Sequence, residues 1–240
     1  MKPKDFVNSL RALRFVDVFN PYSERCAMHD VADAPCRRAH ALTRVLEAAA
    51  STEINALWIG RDLGHKGGRR TGLALTDDVH LGTHACRWNV SVQRPTNGAM
   101  VSERTASVIW RMLSFITAPV FLWNVFPFHP HLPNDPFSNR SHKTKEGDIG
   151  KNILEELVLM LRPRRIIAIG NDAANAVVNL ACRTEVVNVR HPSYGGQRDF
   201  ISQIQTAYGF PVDDNNIHRQ KRIEKDQLSL IEPEIHKACE

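Results

Sequence analysis

Four short apolar runs set at wide intervals constrain this chain more than any other feature: Ala56 to Gly60, Val120 to Asn124, Arg165 to Gly170 and Glu185 to Val189. Each has the length of a β-strand and is followed by a turn or loop signal. Between them lie stretches with helical periodicity. Arg37 to Ala50 carries Leu42, Val45, Leu46 and Ala49 on one face. Ser102 is placed to cap a helix bearing Ala106, Ile109, Trp110, Leu113 and Ile116, which Pro119 stops. Two more helices are expected from about Ile149 to Leu161 and from Asp172 to Leu180. Strands alternating with helices cannot be joined as hairpins, so the expected fold is a three-layer α/β/α sandwich around a central four-stranded parallel sheet.

At 240 residues and 42% hydrophobic content the chain can bury a core of one domain. We assign residues 1–209 to that domain, with a helical lead-in that includes an amphipathic piece from Phe6 to Phe19. Residues 210–240 read as a polar tail of mixed charge containing His218-Arg-Gln-Lys-Arg222. The formal net charge of +5 permits an anionic partner without requiring one. The five cysteines are scattered and form no CxxC pair, as expected of a reduced, cytoplasmic protein. No apolar stretch of about 18 residues is present to cross a bilayer, and the start has no long apolar segment of a signal peptide.

In an open parallel sheet the loops leaving the carboxyl ends of the strands meet in one cleft. That rule brings together Asp62, in the glycine-rich basic loop after the first strand, Asn124 at the end of the second, and His191 after the fourth. A carboxylate, an amide and an imidazole can orient water, read a base edge and act as an acid or electrophile. Each also has a structural alternative. Asp62 can bond its own loop's amides, Asn124 can satisfy neighbouring backbone, and a histidine before proline can be a structural one.

The chain resembles the uracil-DNA glycosylase superfamily over roughly residues 20–208. Gly60-Arg-Asp-Leu-Gly-His65 looks like the family's first motif, written GQDPYH in one branch and GEAPG in others, and His191-Pro-Ser193 resembles its HPSP motif. Phe121-Leu-Trp-Asn124 takes the place of the strand whose terminal asparagine reads the flipped base. Arg69-Arg-Thr-Gly-Leu-Ala-Leu-Thr76, Trp123-Asn-Val-Phe-Pro-Phe-His129 and Ile167-Ala-Ile-Gly-Asn171 look like one bacterial branch. The resemblance implies that Asp62 and His191 are catalytic, Asp62 orienting water and His191 stabilising the charge on the departing base. It implies a base pocket of Gly60, Arg61, Gly64, Leu75 and Asn124, and base flipping as part of the reaction.

The departures from the pattern bear on the substrate. Gly64 stands where the GQDPYH tyrosine blocks substituents at pyrimidine C5, and Leu75 where a stacking phenylalanine is usual. Arg61 replaces glutamine or glutamate, and Tyr194 replaces the last proline of HPSP. The expectation is a monofunctional glycosylase for a modified pyrimidine, such as a bulky C5-modified cytosine of phage DNA, which would give it a role in phage defence. Ordinary uracil repair, a non-catalytic binder of modified bases or abasic sites, and a hydrolase of free nucleosides are the alternatives. No lysine lies in the motifs to form a Schiff base.

For the DNA itself the expected contacts are His65, Lys66, Arg69, Arg70, Arg140 and Lys143, together with Ser193, Tyr194, Gln197 and Arg198 where a side chain can wedge into the stack. No metal, iron–sulfur cluster or other cofactor is expected, since neither the cysteines nor His129-Pro-His131 has a ligand spacing. A monomer acting on DNA, away from membranes, is the expected state.

Overall fold

The computed structural model describes residues 1–178, 180 and 184–210. In chain order its elements are α1 (Pro3–Ala12), β1 (Val18–Phe19), α2 (Ala34–Ala50), β2 (Ala56–Asp62), α3 (Gly68–Thr71), α4 (Leu81–Arg87) and α5 (Arg104–Leu113). They continue with β3 (Val120–Phe126), β4 (His129–Pro130), α6 (Thr144–Leu161), β5 (Arg165–Ile169), α7 (Asn171–Val177), β6 (Glu185–Val189) and α8 (Gln197–Tyr208).

The four expected strands form one parallel sheet in the order β3-β2-β5-β6. Helices flank the sheet, giving the α/β/α sandwich. β2 and β3 are buried along nearly their whole length, which explains why they read as continuous apolar runs and not as alternating ones. On one face Leu57, Ile59, Phe121, Trp123, Ile166 and Ala168 join a core with Phe6 and Leu10 of α1, Leu46 of α2, Leu154 and Leu157 of α6 and Ala173 of α7. The opposite face presents Trp58, whose ring meets Phe200 of α8 edge-on at 6.2 Å. The rings of Trp123, Phe126 and Phe128 are fully buried, so this aromatic run is core and offers no platform for a base.

Several boundaries move. The amphipathic lead-in is a helix only to Ala12, and Val18–Phe19 instead pairs antiparallel with His129–Pro130. β2 runs on to Asp62, so the carboxylate sits at the strand's end and not in the loop beyond it. The helix expected from Ser102 starts at Arg104 with Glu103 as its N-cap, because the Glu103 backbone N–H is bound by Asp77 Oδ2 at 2.6 Å.

The chain divides into a unit Met1–Ile204 and a second, Gln205–Glu240. Of the second unit residues 205–210 are described, and the expected tail beyond residue 210, with the cluster at 218–222, lies outside the described residues, as do Cys182 and Cys239. No helix among the described residues is long and apolar enough to cross a membrane.

Candidate active site

A cleft of about 460 Å³ opens at the carboxyl ends of the strands. Register places its parts. In the β2–β3 ladder Gly60 is paired with Asn124, and Asp62 with Phe126. β5 and β6 end side by side at Ile169 and Val189, so Gly170 and His191 follow at one level. Gly60, Arg61, Asp62, Asn124, Asp172 and His191 therefore line the same space.

At the floor, the Asn124 amide is buried. Its Nδ2 donates to the Asp62 carbonyl at 3.1 Å, which fixes the orientation of the amide, and its Oδ1 has no partner among the described residues. A buried acceptor without a donor is costly unless a ligand supplies one. Gly60 allows Asn124 and Leu75 to approach: a Cβ there would lie 2.8 Å from Asn124 Nδ2 and 3.1 Å from Leu75 Cδ2. Leu75 itself is buried in a left-handed conformation, φ 54°, a state that costs about 1–3 kcal/mol and collects at functional sites. Its carbonyl accepts from Trp110 Nε1 at 3.1 Å, which holds the strained residue in place.

Asp62 is almost wholly buried and bracketed by two donors. Oδ2 accepts from Arg61 Nε at 2.7 Å, and Oδ1 accepts from His142 Nδ1 at 2.5 Å. Arg61 also reaches Asp172 Oδ2 through Nη1 at 3.0 Å, tying the first motif to the first turn of α7. His142 was not among the expected site residues. It lies in a basic run whose neighbours, Arg140 and Lys143, attracted attention by their charge, and nothing local pairs it with a carboxylate 80 residues earlier.

His191 Nδ1 accepts the Ser193 backbone N–H at 3.1 Å and lies 2.7 Å from Ser193 Oγ. With Nδ1 an acceptor, the ring proton is on Nε2. Burial, then the charges of Arg61 and Arg190, hold its pKa below the usual histidine range, so the imidazole is neutral near pH 7. A neutral ring with an outward N–H is a hydrogen-bond donor to developing negative charge.

The space that Gly64 was expected to leave open is filled. A Cβ on Gly64 would lie 2.5 Å from Glu103 Oε1, so a carboxyl group occupies the wall beside it. Glu103 was missed because a residue next to a presumed capping serine reads as helix-terminal decoration.

The expected DNA contacts divide. Lys66, Lys143, Arg198 and Tyr194 are exposed, Tyr194 at 98% and with φ 51° at the cleft mouth. Ser193 and Gln197 are half-buried beside it, and His65 is half-buried with its backbone N–H on Asn139 Oδ1 at 3.0 Å. Arg69 and Arg70 correct the expectation, because both are buried. The Arg69 guanidinium lies 4.2 Å from the Phe19 ring centre and 4.8 Å from that of Phe137, and Arg70 bonds Asp78 Oδ2 through Nε at 2.7 Å. Arg140 is likewise committed, forming two bonds to Glu146 at 2.7 and 2.9 Å. Arg70 and Arg140 are thus engaged with carboxylates, and Arg69 is packed against two aromatic rings. No group of three or more metal-ligating side chains exists among the described residues.

A carboxylate, an amide and a neutral imidazole around one cleft suit the DNA glycosylases, hydrolases of N-glycosyl compounds that act on a base drawn out of its strand. Residues 50–204 match the model of the uracil DNA glycosylase superfamily, and the chain belongs to that superfamily. Among solved structures, wild-type Pedobacter heparinus SMUG2 aligns with a TM-score of 0.59 over 87% of this chain and 97% of that one, at 16% identity. At that identity the likeness concerns the fold. No curated protein matches the sequence.

Proposed function

We propose that this glycosylase releases a C5-modified pyrimidine from DNA in preference to plain uracil. The observation that carries the reading is the wall of the cleft. Residue 64 carries no side chain of its own, the group beside it is the slender Glu103 carboxyl, and among the described residues neither phenylalanine nor tryptophan lines the space. A cleft of about 460 Å³ falls in the range that holds drug-sized ligands, which leaves room beside a pyrimidine ring.

In the reaction we infer, the extruded base lies against Leu75 with its donor edge on Asn124 Oδ1. Asp62, steered by Arg61 and His142, orients water toward C1′ of the sugar. The N-glycosidic electron pair leaves with the base, and the His191 Nε2–H supports the resulting negative charge. Water adds at C1′ and its proton is passed on to Asp62 or solvent, leaving an abasic site. Among the described residues no lysine lines the cleft, in keeping with water as the attacking group. Tyr194 is the group we assign to fill the gap in the stack. The enzyme would work as a monomer. Bulky C5 modifications of cytosine occur in phage DNA, so such an activity would serve defence against phage.

The test is a panel of duplexes carrying uracil, 5-hydroxymethylcytosine or its glucosylated form, with released bases identified by mass spectrometry. Release of a C5-modified base at a higher rate than uracil supports the reading. Uracil as the only product would replace it with ordinary uracil repair.

A further inference from the structure

Glu103 is a cleft-lining carboxyl group that the reaction above does not use. It hangs from the N-cap of α5, an element separate from the strand ends that carry Asp62, Asn124 and His191. Its backbone N–H is tied to Asp77 Oδ2, which anchors the start of the side chain. The carboxyl then lies flat on the loop after β2. Oε1 would be 2.5 Å from a Cβ on Gly64, and Oε2 would collide with one on Gly67. Two glycines on that loop and one carboxyl above it are thus fitted to each other, and no larger side chain at 64 or 67 is compatible with this position of Glu103.

Among the described residues no N–H or O–H donates to either carboxyl oxygen. Burial, then the charge of Asp77, push its pKa up to about 7, with Lys66 acting in the opposite direction. Glu103 is half-buried, and its side chain lines the cleft. Asn124 Oδ1 is the other unfilled acceptor on that cleft. In the reaction proposed above, the ring of a base seated over Gly60 and Leu75 gives its own N–H to Asn124. Glu103, on the 64–67 wall, meets whatever projects from the ring there.

We propose that Glu103 is a specificity-determining residue whose carboxylate accepts a hydrogen bond from a hydroxyl group on the C5 substituent of the flipped base. This rests on the reading that the substrate is a C5-modified pyrimidine. It narrows the class to substituents that carry a donor, and a methyl group at C5 would offer the carboxylate no hydrogen bond. Because the free carboxyl ionises near neutrality, recognition strengthens as it loses its proton.

The experiment compares the wild type with Glu103→Gln and Glu103→Ala on duplexes containing 5-hydroxymethylcytosine, its glucosylated form, 5-methylcytosine or uracil, under single-turnover conditions. Affinity for an unmodified duplex and the thermal midpoint are measured alongside. The expected result is a loss of about tenfold or more in release of hydroxyl-bearing bases, the equivalent of one charge-assisted hydrogen bond. Unmodified-duplex affinity should stay within about twofold, and the rise in rate across pH 7 should disappear in Glu103→Gln. Wild-type release of a hydroxyl-bearing base with no loss in either variant, or with an equal loss of duplex affinity, overturns the role of Glu103 and leaves the substrate reading standing. Wild-type release of 5-methylcytosine but no hydroxyl-bearing base overturns the role of Glu103 and leaves the substrate reading standing, whereas release of uracil alone overturns both.

Discussion

His142 Nδ1 donates to Asp62 Oδ1 at 2.5 Å, joining the N-terminal side of α6 to the end of β2. The ring is built into place. Gly147 leaves room for it, since a Cβ there would lie 2.8 Å from His142 Cδ2, and Phe126 packs against it at 5.9 Å between ring centres. With Arg61 on Oδ2, both carboxylate oxygens are held and the group cannot rotate.

If Asp62 orients the attacking water, Asp62→Asn should cost about 10²–10⁴ in the rate of base release, the usual contribution of a positioned base. His142→Ala should cost less, and mainly in kcat, because the residue acts through Asp62. Adding His142→Ala to Asp62→Asn should cost almost nothing more, since residues that act as a unit are non-additive. Abasic-site formation by the two single variants and the double variant measures this. A double variant that multiplies both losses would show that His142 acts independently of Asp62.

The sheet and the three strand-end residues were legible because they rest on local pattern: apolar runs of strand length, and chemistry placed where a parallel sheet must end. His142 and Glu103 were not, because their roles depend on contacts across the fold. His142 meets Asp62 only after β3 and the loop beyond it have been laid beside β2. Glu103 lines the cleft with its backbone held by Asp77, 26 residues away. Arg69 and Arg70 misled for the same reason. A basic pair in a glycine-rich loop resembles a phosphate site in sequence, and only the fold reveals Phe19, Phe137 and Asp78 around it.

Leu75 lines the cleft and is the residue proposed to lie against the base. Leu75→Phe would place an aromatic ring over the floor made by Gly60 and Asn124, and base–aromatic stacking is worth about 1–3 kcal/mol. Release of a small, unsubstituted pyrimidine such as uracil should rise relative to a C5-substituted one. Relative rates on a mixed-substrate duplex pair are the readout, and an unchanged ratio would mean that Leu75 does not contact the base.

His84 and His129 make the fold sensitive to acid. Burial holds each at a pKa of about 3, against 6.5 for an unperturbed ring. Between those values the unfolded chain binds protons that the folded one does not, so stability is full above pH 6.5 and falls as the pH drops below it. The slope approaches about 1.4 kcal/mol per pH unit for each histidine. Glu103 has the opposite sign, losing stability as pH rises from 4.5 to about 7, and offsets one of the two. His29, held at about 4 chiefly by burial, adds to the histidine side, so the urea midpoint should be lower at pH 5 than at pH 7. His84→Gln should reduce that decrease, and a midpoint independent of pH would remove the histidines as its cause.

Salt separates cations that touch DNA from those that hold the protein together. Lys66, Lys143 and Arg198 are exposed, and each phosphate contact removed should lower the slope of log affinity against log salt by about one, with little effect on the thermal midpoint. Arg70 should behave otherwise. Its side chain is 8% exposed and Asp78 is wholly buried, so Arg70→Ala leaves a buried carboxylate without its partner, at a cost of about 3–5 kcal/mol. The variant should unfold at markedly lower urea, while any remaining folded protein keeps the wild-type salt slope. Fluorescence polarisation across a salt series, paired with denaturation, resolves the two classes. A reduced salt slope in Arg70→Ala at unchanged stability would return that residue to the DNA surface.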